Sequence, residues 1–177
     1  MADLSTAINQ LIEVALSGLY CVLPGYVVKY EYRTCKASVQ PAIKKTYLTT
    51  VEEELLPTEV KNLSQLPIIE DVPVLWPRTA DFIIHAPLAK GDGVLLLFSD
   101  RSLEGFLNAN SGRTVDAPDN RKHSLSDAIA IPGLYGFKNV NPSSGFNQVE
   151  IIYKDAAIVI EENGRVDIND GNLTVDV

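Results

Sequence analysis

Few side chains in this 177-residue sequence could do chemistry. The two histidines, His85 and His123, lie far apart, and only His123 has a serine and an acid close by, Ser124 and Asp127. These three could be written as a hydrolase triad, but residues so close in sequence rarely reach the geometry in which base, nucleophile and acid face one another. The segment also lacks the turn that presents a nucleophilic serine. We therefore predict a protein that is not an enzyme, with a hydrolase built on His123 and Asp127 as an alternative.

The sequence also contains no residue pattern that indicates metal binding, redox chemistry or phosphate binding. The only cysteines are Cys21 and Cys35, and neither belongs to a Cys-x-x-Cys pair or neighbours a histidine. The glutamate run at 52–54 is typical of a solvated surface, and no glycine-rich phosphate loop occurs. We predict no metal site and no cofactor.

The polar residues near residue 100 are better explained by a structural role. The stretch 91–106 contains a turn, an apolar run from Val94 to Phe98 and a polar segment directly after that run. Together these features predict a strand buried on both faces. Loop polar groups beside a core need partners. We therefore predict a barrel core and an anchor for the 111–130 loop, formed by Val94, Leu96, Phe98, Asp100, Arg101, His123 and Asp127.

Composition describes a globular, acidic protein. Hydrophobic residues make up 46% of the chain, charged residues 21%, and the formal net charge is -8. Because nonspecific nucleic-acid binding depends on Lys and Arg neutralising phosphates, this charge argues against a nucleic-acid partner. The start of the chain lacks the basic region of a signal peptide, and the longest uncharged run is too short to cross a membrane. We expect a soluble protein synthesised in a cytoplasm.

Periodicity changes along the chain and predicts three parts. Apolar residues from Leu4 to Leu19 follow helical spacing, with Gly18 at the end, so residues 1–20 are predicted to be an N-terminal helical segment. Its apolar side must lie either on its own domain or on a partner subunit. Residues 21–140 are predicted to be a β domain with loop insertions, in which 46–62 is an exposed connection and the proline-rich 66–76 is an irregular edge strand. Short strands separated by turns suit a small Greek-key barrel of the oligonucleotide/oligosaccharide-binding (OB) type, although another small barrel fits the pattern equally well.

The last part, residues 141–177, alternates apolar and polar residues in strands too short to enclose a core alone. The segment 164–170 resembles 171–177, a small internal repeat. Three copies could pool their apolar faces in a triangular β-prism, or the hairpins could complete the sheet of the β domain. The predicted core of a trimeric prism consists of Ile158, Ile160, Val166, Ile168, Leu173 and Val175.

Five segments in order carry a resemblance to a known family: LPGYVV at 23–28, ASVQPAI at 37–43, VPV at 72–74, GDGVLLLFSDRS at 91–102 and RKHSLSDAI at 121–129. Together they resemble the N-terminal domain of the central spike proteins of contractile-tailed bacteriophages, over about residues 5–135. The acidic charge and the alternating tail agree with this resemblance.

The resemblance implies a mainly β, homotrimeric, membrane-piercing needle in the virion, at the tip of the tail baseplate. Its OB-type barrel would dock on baseplate hub proteins, and its C-terminal β-helix or prism would meet the host outer membrane when the sheath contracts. Many such spikes hold iron at a His-x-His pair near the apex, but no histidine follows His123 here. We therefore expect either a separate tip protein or a blunt needle. A monomeric OB-fold module that binds single-stranded nucleic acid or oligosaccharide is the alternative function.

Overall fold

The computed structural model describes residues 4–51, 58–110, 112–139 and 147–169. The chain divides into two compact units, Met1–Tyr135 and Gly136–Val177. In chain order the main elements are α1 (Leu4–Ser17), β1 (Val22–Glu31), β2 (Lys36–Pro41), β3 (Lys45–Val51), β4 (Thr58–Ser64), β5 (Ile69–Pro73), β6 (Gly93–Phe98), α2 (Glu104–Asn108), β7 (Ala128–Pro132), β8 (Gln148–Tyr153), β9 (Ala156–Glu161) and β10 (Val166–Ile168). The predicted mainly β class is confirmed.

The first unit is built on one antiparallel sheet of five strands in the order β5-β2-β1-β6-β7. The pairing of β1 with β2 shifts between Val27 and Lys29, and such irregularities increase strand bending and twist. The two edges approach each other where Val74 forms a bridge with Ala130 and the Leu75 amide donates to the Ala130 carbonyl at 2.8 Å. The sheet therefore curls into a half-barrel.

Strand β6 supplies the centre of the core. Its side chains alternate between buried Val94, Leu96 and Phe98 and half-buried Leu95 and Leu97. The prediction of burial on both faces is therefore wrong for the second face. The apolar run of β6 lies in a curled sheet whose concave side holds the core, and its convex side is only partly covered. The rest of the core comes from the other strands and the segment after β5: Val27, Ala37, Val39, Ile69, Val72, Val74, Trp76, Ala128 and Ala130.

The predicted edge strand is confirmed, because β5 lies at one end of the sheet order. The predicted exposed connection at 46–62 is wrong: β3 and β4 pair as a separate antiparallel hairpin, from Lys45 opposite Ser64 to Val51 opposite Thr58. The run Thr-Tyr-Leu-Thr-Thr-Val at 46–51 is rich in β-branched and aromatic residues, and its strand preference outweighs the acidic residues that follow it. Those glutamates, 52–54, lie outside the described residues.

Helix α1 covers nearly the predicted span and ends just before Gly18, as predicted. None of its residues is buried. In the part of the chain that the structure describes, no helix has the length and hydrophobicity needed to cross a membrane.

The second unit contains a small antiparallel sheet in the order β10-β9-β8. The alternating segments predicted as strands around residues 149–153, 156–160 and 166–168 are confirmed. The last repeat, 171–177, lies outside the described residues.

Candidate functional site

Asp127 holds in place the loop that follows strand β6 at one end of the half-barrel. It closes a short 3₁₀ helix, Leu125–Asp127, which Ser124 caps by accepting a hydrogen bond from the Ser126 amide. The Asp127 residue is only 4% exposed, and its Oδ1 accepts from the Leu103 amide at 2.9 Å. Its backbone carbonyl accepts from the Ser99 amide at 3.0 Å. Asp127 therefore ties both ends of the 99–103 segment to the start of β7.

His123 joins the loop before β7 to the short segment between α1 and β1. Its backbone adopts φ of 48°, its carbonyl accepts from the Tyr20 amide at 3.1 Å, and its Nδ1 lies 3.1 Å from the Tyr20 carbonyl oxygen. Its Nε2 lies 3.4 Å from Oδ1 of Asp100. The ring is therefore engaged by Tyr20 and Asp100, whereas Ser124 and Asp127 bond elsewhere. The structure does not bring the three residues of the alternative triad into a relay.

Arg101 takes a smaller part in this arrangement. Its guanidinium lies 3.2 Å from Asp100 Oδ2, and both side chains are at least half exposed. Exposed ion pairs of this kind contribute little to stability because water screens them. Of the four predicted anchor residues, His123 and Asp127 hold the loops, Asp100 assists His123, and Arg101 stays at the surface.

Arg121, which the sequence reasoning did not single out, lies at the centre of the loop anchor. Its guanidinium donates to Ser102 Oγ at 2.9 Å and to Ser126 Oγ at 3.0 Å, and it lies 2.7 Å from Asp119 Oδ2. The Nε atom, which forms the close contact with Asp119, lies 3.9 Å from Asp127 Oδ2, beyond hydrogen-bond range, so charge attraction joins Arg121 to Asp127. In the sequence, Asp119 and Asp127 lie close to Arg121 and could have indicated an ion pair. The contact of Arg121 with Ser102 depends on the fold and has no sequence pattern.

A depression of about 500 Å³ opens beside Arg121 and α2. Its lining mixes both signs of charge, with Lys36 and Arg121 opposite Asp71, Glu104 and Asp127. Among residues 4–51, 58–110, 112–139 and 147–169, no group of three His, Cys, Asp or Glu side chains is placed to hold a metal ion.

A second polar cluster joins β1 to the segment after β5. The Trp76 indole donates to the Tyr30 hydroxyl at 3.2 Å, and that hydroxyl lies 2.7 Å from His85 Nε2. The rings of Trp76 and His85 meet edge to face with centroids 4.9 Å apart. Burial raises the pKa of Tyr30 above its usual value of 10.0. Because Tyr30 lies 46 residues before Trp76 and 55 before His85, no local pattern indicated this cluster.

The sheet of the second unit carries an apolar face without charge. Residues paired directly across antiparallel strands share a face, so Val149, Ile160 and Val166 form one row and Ile151, Ile158 and Ile168 form a second. Tyr153 extends the same face beside Ala156. Six members of this set are exposed, from 39% for Ile158 to 62% for Ile151, and Ile168 is half-buried. We call these seven residues, Val149, Ile151, Tyr153, Ile158, Ile160, Val166 and Ile168, the apolar face of the second unit.

Four of the six predicted prism residues lie on that face: Ile158, Ile160, Val166 and Ile168. The other two, Leu173 and Val175, lie outside the described residues. The acidic side chains Glu150, Glu161 and Asp167 belong to the opposite face of the sheet.

A family model of the phage protein Gp138 N-terminal domain matches residues 23–133. The match spans nearly all of the curled sheet and the whole loop anchor, and it covers more than half of the chain. The chain belongs to this family. The predicted resemblance to phage tail proteins is thereby confirmed, and the protein is a structural protein of the phage virion. No curated protein matches the chain.

The Gp138 N-terminal domain match divides the candidate residues into two groups. Val94, Leu96, Phe98 and the loop anchor with Arg121 lie inside the matched span, so they belong to the shared domain. Helix α1 and the apolar face of the second unit lie outside it. The family match therefore says nothing about what these two parts do.

Proposed function

We propose that this phage protein is the central spike of a contractile tail. Three copies assemble around one axis, their OB-type barrels dock on the baseplate hub, and their C-terminal sheets form a β-prism that pierces the host outer membrane when the sheath contracts. The spike works mechanically and catalyses no reaction. A separate tip protein caps the prism, or the prism itself forms a blunt end.

The observation that carries this proposal is the apolar face of the second unit. In the single chain, seven apolar side chains on one face of a three-stranded sheet are exposed to solvent or only half-buried. Apolar surface removed from water contributes about 25 cal/mol per Å², so association of this face with copies of itself is strongly favoured. Three such sheets around an axis would bury their apolar faces and keep Glu150 and Glu161 on the outside.

The half-barrel supports the docking role. The five-stranded sheet with edges that meet at Val74 and Ala130 is consistent with an OB-type barrel. With a net charge of -8, the chain repels nucleic acid and favours a protein partner. The family membership of residues 23–133 makes a component of the tail the natural partner.

Light scattering after size-exclusion chromatography tests the assembly. The expected mass is three times the 19.3 kDa of the chain at micromolar concentration. A single-chain mass contradicts the spike, and salt-sensitive binding of single-stranded DNA by that monomer would favour the nucleic-acid-binding alternative.

Electron microscopy of the virion tests the location. Antibody against the full chain, coupled to gold, is expected at the distal end of the tail on its axis. Gold along the sheath, on the fibres or at the head would contradict the central-spike role even if the protein is a trimer. Virions of an unrelated tailed phage serve as the control for nonspecific labelling.

A further inference from the structure

Helix α1 carries an apolar stripe that its own unit leaves uncovered. At about 100° per residue, the apolar residues Leu4, Ala7, Ile8, Leu11, Ile12, Val14 and Ala15 occupy an arc of about 160°. The opposite side of the helix carries the polar residues, including Asn9 and Glu13. Leu16 is the one apolar residue of α1 on that side. The stripe is open to solvent along its length, because Leu4 is 74%, Leu11 70% and Val14 71% exposed.

The base of α1 is firmly held by the half-barrel. Only Gly18 and Leu19 separate the end of the helix from Tyr20, whose amide donates to the His123 carbonyl at 3.1 Å. The next residue, Cys21, accepts from the Phe98 amide at 3.0 Å. The helix therefore leaves the barrel at a fixed point with a short connection.

The stripe has the spacing of a helical bundle. Leu4, Ile8, Leu11 and Ala15 follow the alternating four- and three-residue steps of d and a positions in a heptad repeat. Three of the four flanking e and g positions hold the apolar residues Ala7, Ile12 and Val14, and the fourth holds Ser5, whereas two-stranded coiled coils usually carry charges there. A seam widened in this way is buried more completely by three helices than by two. The only charged residue of α1, Glu13, is at the outermost f position.

We infer that α1 packs in parallel against α1 of two further copies of this chain, forming a three-helix bundle at the N-terminal end of the trimer. A copy is the fitting occupant because the stripe is uncharged, so its association brings no like charges together although each chain carries -8. In a threefold assembly the three helices leave equivalent points of three barrels, and this makes them parallel. The inference rests on the trimer of the proposed function and adds a second contact to it.

Cysteine cross-linking of the full chain tests the bundle. In a background with Cys21→Ser and Cys35→Ser, a single cysteine is introduced as Leu4→Cys or Leu11→Cys on the stripe, or as Glu13→Cys on the opposite side. After oxidation with diamide, the two stripe variants are expected to yield mostly covalent dimers on a nonreducing gel, reversed by a reductant. Glu13→Cys is expected to stay a single chain. Leu4, Leu11 and Glu13 are exposed, so the introduced cysteines leave the core intact. Cys35 is half-buried against the core, so the mass and unfolding midpoint of the Cys21→Ser, Cys35→Ser background are compared with the unmodified chain first.

Two failures can be told apart when light scattering accompanies the gel. A trimer whose Leu11→Cys variant links no more than Glu13→Cys overturns the bundle and leaves the spike trimer standing. A trimer that links at Leu11 but not at Leu4 overturns the parallel arrangement. A single-chain mass overturns the trimer itself, and the bundle with it.

Discussion

At the scale of single residues, Arg121 and Asp127 show how a phage tail domain holds its loops. Arg121 reaches Ser102, Ser126 and Asp119, and Asp127 holds the Leu103 amide from a buried position. A buried carboxylate beside a cation and an amide is stabilising only while its partners remain in place. The pair therefore links the 99–103 segment to the 121–127 segment.

Asp127→Ala is expected to lower the free energy of unfolding by about 1–3 kcal/mol, because the Leu103 amide is left without its acceptor and Arg121 loses a neighbouring charge. Urea unfolding followed by the fluorescence of Trp76, the single tryptophan, measures the change. Asp100→Ala is the matched control, since Asp100 is exposed, and should change stability by less than about 0.5 kcal/mol. Equal effects of the two substitutions would contradict the anchoring role of Asp127.

Tyr30 makes the stability of the folded protein depend on pH in the alkaline range. Burial raises its folded pKa above 10.0, so the folded protein holds this proton more tightly than the unfolded chain. The associated stability is fully present below about pH 10 and is lost as the pH rises through the folded pKa. Tyr30→Phe is expected to lower stability at neutral pH by losing the contacts with Trp76 and His85, but to reduce the further fall at high pH. Urea unfolding between about pH 8 and 11 measures both effects; parallel curves for the two proteins would contradict this prediction.

At the scale of elements, the half-barrel depends on close backbone packing at the start of β6. Gly93 accepts a hydrogen bond from the Gly133 amide at 3.1 Å, and the chain after β7 passes directly over it. A Cβ atom at position 93 would lie 1.8 Å from the Leu134 carbonyl oxygen. Since that neighbour is backbone, no side-chain rotation can make room.

Gly93→Ala is therefore expected to displace residues 133–135 and to lower the free energy of unfolding by about 1–3 kcal/mol, the usual cost of overpacking. Thermal or urea unfolding measures the loss. Gly136→Ala is the control, because a Cβ atom there meets no atom within 4 Å and the backbone needs no positive φ. A wild-type midpoint for Gly93→Ala would show that the turn after β7 is easily displaced.

At the scale of the whole molecule, the proposed trimer concerns two apolar surfaces that are exposed in the described part of the single chain. One is the stripe on α1 and the other is the apolar face of the second unit. Both lie outside the span of the family domain. The proposed trimer covers both surfaces with copies of the same chain, so its stability depends on protein concentration.

Replacing Ile158 and Ile160 by asparagine is expected to shift the light-scattering mass from three chains toward one at micromolar concentration, because the centre of the apolar face becomes polar. The matched control replaces Ala157 and Val159, their neighbours on the opposite face, by asparagine. We expect this control to keep the trimeric mass. Loss of the trimer in both variants would show that the strands unfold rather than that one face mediates assembly.

The amino-acid sequence by itself determined the local elements of this protein. Helical spacing predicted α1, an apolar run predicted β6, and strict alternation predicted β8, β9 and β10, because the direction of successive side chains is a local property of helix and strand. The family resemblance also followed from short segments in order. The β3–β4 hairpin did not follow from the sequence, because the strand-favouring residues at 46–51 are directly followed by the acidic run at 52–54, which is typical of an exposed connection.

Only the tertiary structure decided which distant residues meet. The contact of Arg121 with Ser102, the cluster of Tyr30, Trp76 and His85, and the partial exposure of one side of β6 all depend on how the sheet curls. Periodicity shows that a strand has two faces, but it does not show what covers each face. For the same reason, the sequence predicted four residues of the apolar face of the second unit as a core, and the pairing of β8 with β9 added Val149, Ile151 and Tyr153 to that face.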